Sequence, residues 1–252
     1  MKKNDKISKM YQKVKNCSNI NKFLFCINIL ISIILPVIDV GSYLSNLLFI
    51  QVLLILGSMI LTFLNDYIYF PAAEDELRKG LIGKSFDKDL SDADISNYYD
   101  TDSFQPGVKK LIYNTLENIQ FTKEIVGEML KGKIFPSFLL IIIFVYAIKL
   151  SIDGRQLQAL VQVIFSTSNL FGTAKLLVYN SRLNNLYEKL YSNKEGDEIL
   201  LLSYCFEYEC LKSSFKQLLS QSIYNKTNDK NNENWKKTLN KLSDKRKIKE
   251  NK

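Results

Sequence analysis

Residues 135–148 read "FPSFLLIIIFVYAI". On a helix this stretch has no polar face, whereas a core helix of a soluble protein alternates apolar and polar sides. Three further apolar runs accompany it, at about Phe23–Val40, Leu44–Leu64 and Leu157–Val178, and the run that contains it extends over Phe135–Leu150. A helix rises ~1.5 Å per residue, so roughly 20 residues cross a ~30 Å hydrocarbon layer. The second and fourth runs meet that length directly, and the other two reach it with a few flanking residues. The sequence therefore predicts an all-α integral membrane protein with four transmembrane helices in two hairpins, plus cytoplasmic helical regions.

The averages conceal this. Of 252 residues 46% are hydrophobic, and the mean hydropathy is −0.07. Both values suit a soluble protein, but the apolar residues are segregated into runs and the remainder is very polar. No small-residue cleavage site follows the first run, so no cleavable signal peptide is expected.

Loop charge sets the expected orientation. Lys2, Lys3, Lys6, Lys9, Lys13, Lys15 and Lys22 precede the first run. The turn "DVGSYLSN" has no basic residue, and "SIDGRQ" has only Arg155. The positive-inside rule puts both termini and the central segment in the cytoplasm. The domains then read 1–22, a basic cytoplasmic arm; 23–64, the first hairpin; 65–133, a cytoplasmic helical insert; 134–178, the second hairpin; and 179–252, a cytoplasmic helical tail whose last residues are expected to be disordered.

Within the insert, "FPAAEDELRKGLIGKSF" reads as helical up to about Gly80, and an acidic loop with six Asp follows. Pro106 and Gly107 then start a helix that runs to about Lys131. In the tail, two helices are expected to break near Gly196, and a short one to begin around Asn234.

The fourth run carries a polar stripe. Gln158, Gln162, Ser166, Asn169 and Thr173 follow steps of four, four, three and four, and so share one helix face. The first run offers Asn28, Ser32 and Pro36, and the second Gln51, Ser58 and Thr62. Polar residues at this depth face a bundle interior or a water-filled path. Two readings stand: interhelical hydrogen-bonding glue, or the lining of a pore. One four-span subunit encloses little room, so a pore implies a symmetric homo-oligomer, with a tetramer as the first guess and the fourth helix innermost.

The net charge is +8 and the isoelectric point about 9.1. Only four residues are Arg, and the guanidinium fork suits phosphate oxygens better than an ammonium does. Arg78 with Lys79, Lys109 with Lys110, and Arg182 lie where a cytosolic anionic ligand could act on the second and fourth spans. Tyr98 and Tyr99 offer faces on which a base stacks. The competing account is that juxtamembrane basic residues meet anionic headgroups.

The chain has no His, no Gly-rich phosphate loop and no nucleophile motif, so no enzyme and no cofactor are expected. Cys17, Cys26, Cys205 and Cys210 show no metal-ligand spacing and read as reduced structural thiols.

The stretches "AAEDELRKGLIGKSF", "SNYYDTDSF", "LIYNTLENIQFTKEI", "EYECLKSSFKQLLSQSIYNK" and "NENW", on a two-hairpin layout, resemble the four-span S-4TM type of effector linked to bacterial nucleotide-signal defence operons such as CBASS and Hailong. The resemblance implies a pore under control of a nucleotide or oligonucleotide, growth arrest of the infected cell, and a nucleotidyltransferase encoded nearby. A non-conducting membrane scaffold or sensor for a cytosolic partner is the alternative, and a secondary transporter a weaker third reading.

Overall fold

The computed structural model describes residues 4–34, 44–91, 101, 104–149, 169–193 and 196–250. Among them the chain is all-helical: α1 Asn4–Ile34, α2 Leu44–Leu64, α3 Phe70–Phe86, α4 Val108–Lys149, α5 Asn169–Ser192, α6 Glu198–Phe215 and α7 Gln221–Glu250. One π-helical turn, Asn65–Tyr69, joins α2 to α3 without a break. The contacts divide the chain into two compact units. The first comprises Met1–Gly80, Asp89–Ile95 and Lys133–Ala174, and the second Leu81–Lys88, Ser96–Gly132 and Lys175–Lys252.

In the first unit, α1 buries Ile7, Val14 and Cys17 at helical spacing. Its basic arm is tied to α3: the Tyr11 hydroxyl donates to Glu74 Oε1 at 2.5 Å, and Lys6 Nζ lies 3.5 Å from Glu76 Oε1. The Ser91 hydroxyl donates to the same Glu76 oxygen at 2.9 Å. Helix α2 is different. Leu48, Phe49, Ile50, Val52, Leu53 and Ile55 are all exposed, on the sides of the helix away from its Gln51–Ser58 stripe, and almost none of its apolar window is buried. An apolar surface of this extent in water would be strongly unfavourable, at roughly 25 cal/mol per Å2.

Ser45–Phe86 is accordingly one helical segment long and apolar enough to cross a membrane, and among the described residues it alone meets that test. Much of the fourth run, residues 39–43 of the first expected external turn and all of the second lie outside the described residues.

The second unit has a conventional core. Ile112, Leu116, Ile119 and Val126 of α4 meet Leu183, Leu186 and Leu190 of α5, with Leu201 and Tyr208 of α6 and Trp235 of α7. Within α4, α5 and α6 these residues recur at steps of three, four or seven, which puts each set on one face of its helix. A buried polar group is embedded beside this core. Asn114 donates to Ser85 Oγ at 2.9 Å and accepts from the Thr101 hydroxyl, which holds the end of α3 and the segment before α4 against α4.

Three boundaries differ from the sequence reading. Helix α3 continues past Gly80 to Phe86, where Leu81 and Ser85 are buried and Ser85 accepts from Asn114; it stops at Asp87, whose φ of 53° is left-handed, while the Lys88 N–H caps the Gly83 carbonyl. Helix α4 does not stop at Lys131. It runs on through Gly132 and Pro136 as a single 42-residue helix. Pro136 lies inside this helix, where it lacks the N–H that would otherwise donate to the Gly132 carbonyl. Helix α7 begins at Gln221, not Asn234. The break near Gly196 lies between α5 and α6.

Candidate functional site

The polar residues of the apolar helices are mostly engaged with one another. On α1 and α2, Gln51 Nε2 donates to Ser32 Oγ at 2.8 Å, the Ser58 hydroxyl donates to Asn21 Oδ1 at 2.5 Å, and Asn21 Nδ2 donates to Thr62 Oγ1 at 3.0 Å. Asn28 sits between these rungs with its Oδ1 buried and without a partner among the described residues. On α4 and α5, the hydroxyls of Ser137 and Thr173 share a 2.7 Å hydrogen bond, and both residues are buried. Of the predicted stripe, Asn169 opens α5, while Gln158, Gln162 and Ser166 lie outside the described residues, as do Tyr98 and Tyr99.

The predicted cationic residues do not form one cluster within either unit. In the first unit, Lys79 Nζ lies 2.9 Å and Arg78 Nη1 3.9 Å from the two oxygens of Asp75. The hydrogen bond from Lys79 holds the Asp75 carboxyl below its usual range, so one firmly ionised carboxylate offsets part of the double positive charge. In the second unit, Lys109 is exposed in the first turn of α4, and Lys110 beside it is buried. Arg182 is exposed on α5, its guanidinium 6.0 Å from the centre of the Phe215 ring.

A cavity that none of these five residues lines lies within the second unit. It is open, measures about 370 Å3, and is walled by Gln120, Lys123 and Glu124 of α4, Tyr187 and Tyr191 of α5, and Asn234, Lys237 and Thr238 of α7. The spacing explains the convergence: each helix contributes residues three or four apart, hence from one face. The two tyrosine rings stack with centroids 5.7 Å apart and planes 11° from parallel. Lys123 Nζ sits 3.8 Å from the Tyr187 ring centre, on the negative face of the ring. The Tyr187 and Thr238 hydroxyls both approach Gln120 Oε1, at 3.3 and 3.4 Å. Burial raises the Tyr187 phenol above its ordinary range, so it stays a neutral donor.

This is a binding chemistry. Two ammonium groups, two stacked phenols, two amides, a hydroxyl and one carboxylate suit a flat, anion-bearing molecule. The wall holds no Cys or Ser beside a base, and no cluster of metal-ligating side chains occurs among the described residues. The sequence reading missed the cavity because it followed the scarce Arg residues. The available signals were the Tyr187/Tyr191 pair four apart and the Asn234, Lys237 and Thr238 face of the helix expected from about Asn234. No protein-family model matches this chain, no curated protein is significantly similar to it in sequence, and no solved structure is significantly similar to it in fold.

Proposed function

We propose that the chain is a pore-forming effector of the bacterial inner membrane, a homo-oligomer of four-span subunits whose conductance is controlled by an anionic nucleotide or oligonucleotide. The ligand occupies the Tyr187–Lys123–Lys237 cavity, and the pore is lined by the Gln158, Gln162, Ser166, Asn169 and Thr173 face. One observation supports this most directly. The unbroken helix α4 carries both the cavity residues Gln120, Lys123 and Glu124 and the apolar run from Phe135, and α5 carries both Thr173 and the two tyrosines. From Glu124 to Phe135 is about 16 Å along a helix. A ligand that binds one arrangement of α4 and α5 better than another shifts the population of that arrangement, and with it the conducting state. The resemblance in sequence to S-4TM effectors supports the same reading.

The second reading is a non-conducting membrane scaffold or sensor. It is favoured by the rungs between Gln51 and Ser32, Ser58 and Asn21, and Ser137 and Thr173, which satisfy polar groups inside one chain.

Ion flux and oligomeric state measured together on Gln162→Leu and Asn169→Leu separate the two. Leu is more favourable than Gln or Asn in lipid, so both variants should insert. Intact assembly with lost flux supports the pore, because an apolar ring gates by dewetting. Loosened assembly supports glue. Unchanged flux with intact assembly removes these residues from the conducting path.

A further inference from the structure

Helix α7 supplies one wall of the cavity, Asn234, Lys237 and Thr238, yet its hold on the second unit is slight. Among its described side chains only Asn231 and Trp235 are buried, with Leu239 partly buried against the core. Each of the two leaves a polar atom stranded, for Asn231 Oδ1 and Trp235 Nε1 have no hydrogen-bond partner among the described residues. Asn231 Nδ2 donates within its own helix, to Thr227 Oγ1 at 3.5 Å. On a released α7 water would satisfy both stranded atoms, so docking forfeits two hydrogen bonds in order to bury one indole. The bond from the Thr238 hydroxyl to Gln120 Oε1 of α4 is long, at 3.4 Å, and the same hydroxyl lies nearer, at 3.0 Å, to the Asn234 carbonyl of its own helix. Helix α6 is held quite differently. It buries Leu201, Cys205, Tyr208 and Leu211, and the Tyr208 hydroxyl shares a 3.0 Å hydrogen bond with the Thr122 hydroxyl. A segment with few buried apolar contacts opens locally at a smaller cost than the fold around it.

The cavity couples this weakly held helix to a ligand. Lys123 of α4 and Lys237 of α7 line the same space, beside the stacked Tyr187 and Tyr191 of α5. An anion bound there meets ammonium groups from both helices only while α7 is docked. We infer that α7 is a latch locked by the ligand: the empty protein exchanges between docked and released α7, and an anionic ligand bridging Lys123 and Lys237 holds the helix in place. This rests on the ligand-binding reading of the cavity proposed above. The released form lacks one wall of the site and binds the ligand more weakly, and that difference in affinity shifts the population. Occupancy of the cavity is thereby converted into the order of a 30-residue helix.

The test is amide hydrogen exchange on the full chain in detergent, with ATP and a short single-stranded DNA as probes and their binding followed separately by equilibrium dialysis. Without a probe, the amides of residues 227–239 should exchange about thirtyfold faster than those of residues 201–211, the factor that two unmade hydrogen bonds carry at the low end of their cost. With a probe at about a hundred times its Kd, protection of residues 227–239 should rise about a hundredfold. Trp235, the single tryptophan of the chain, should become harder to quench with iodide over the same titration. Asn231→Leu replaces a stranded amide by an apolar side chain of similar volume, away from the cavity wall, and should raise the protection of α7 without any probe. Loss of protection in that variant would mean that Asn231 holds α7 down, and would overturn the latch. Equal protection of α6 and α7 in the empty protein overturns it too. A probe that binds without raising the protection of α7 removes the latch and leaves the cavity as a binding site. Failure of both probes to bind removes the cavity reading and the latch together.

Discussion

The Ser137 hydroxyl lies 2.7 Å from the Thr173 hydroxyl, joining α4 to α5 across 36 positions of sequence. Thr173 is the described member of the predicted polar stripe whose side chain is visible, and it faces a neighbouring helix of its own chain. A double-mutant cycle of Ser137→Ala and Thr173→Val should give a coupling energy of about 0.6 kcal/mol, the usual worth of such a bond in a membrane helix pair. The measurement is unfolding of the detergent-solubilised protein. Zero coupling, with flux lost in Thr173→Val alone, would return Thr173 to the pore.

Trp235 is fully buried in the second unit's core, and its Nε1 has no hydrogen-bond partner among the described residues. An unsatisfied donor costs about 1–3 kcal/mol, and deleting a large core aromatic costs about 3–5 kcal/mol. Trp235→Ala should therefore be strongly destabilising. Trp235→Phe should be close to neutral, because it keeps most of the volume and removes the stranded donor. Denaturant melts of the two variants decide this. Equal destabilisation would mean that the indole N–H is satisfied after all.

Burial pushes the Cys205 thiol up to about 11, whereas Cys210 on the same helix is exposed. At pH 8 a maleimide should modify Cys210 quickly and Cys205 only after unfolding, which peptide mapping would reveal. The sign for stability follows. An acid whose folded pKa is raised stabilises fully below its unfolded value near 9 and loses that contribution as pH rises towards 11, so denaturation midpoints should fall over that interval. Cys210 also reports topology. With a cytoplasmic tail, an impermeant reagent should miss it in intact cells yet reach Tyr43→Cys and Gly154→Cys. The reverse pattern would invert the proposed orientation.

For the ligand, Lys237→Gln should weaken binding of a fluorescent nucleoside triphosphate or a short labelled oligonucleotide at least tenfold, the loss of one charge-assisted contact. Tyr191→Ala should cost a stacking contact, about 1–3 kcal/mol. Both losses should leave the unit folded, because the two side chains wall the cavity and neither belongs to the fully buried set. Unchanged affinity in these variants, with loss in Arg78→Ala or Arg182→Ala, would move the ligand to the residues the sequence singled out.

What the sequence displays and what it conceals divide along physical lines. The all-helical class was legible because "FPSFLLIIIFVYAI" and the α4 core positions from Ile112 to Val126 carry strong period or composition signals. The break at Gly196 was legible because a helix terminates there locally, with Asp197 accepting from the Ile199 N–H to start the next one. The first half of α7 was not. "QSIYNKTNDKNNE" has poor helix propensity, and its order comes from Thr227 donating to the Ile223 carbonyl, from buried Asn231, and from the docking of Trp235. The cavity was hidden for another reason: its α7 wall, Asn234, Lys237 and Thr238, lies in the part read as helical, but the sequence alone does not show which helix faces converge.

The π-helical turn at Asn65–Tyr69 has a consequence for register. A π-turn accommodates one residue more than an α-turn, so the faces of α2 and α3 are offset by about 100°, the angle one residue subtends. Evolution often introduces such a turn by inserting a single residue, and removing one reverses it. Excising Tyr67 would thus leave a straight α-helix, shorten it by only about 1.5 Å, and swing α3 through about a quarter-turn about its own axis. Glu74 and Glu76 would turn away from Tyr11 and Lys6, while the apolar surface of α2 kept its place. The extra residue acts as a phase shifter, setting the angle at which the apolar helix presents its acidic continuation to the N-terminal arm.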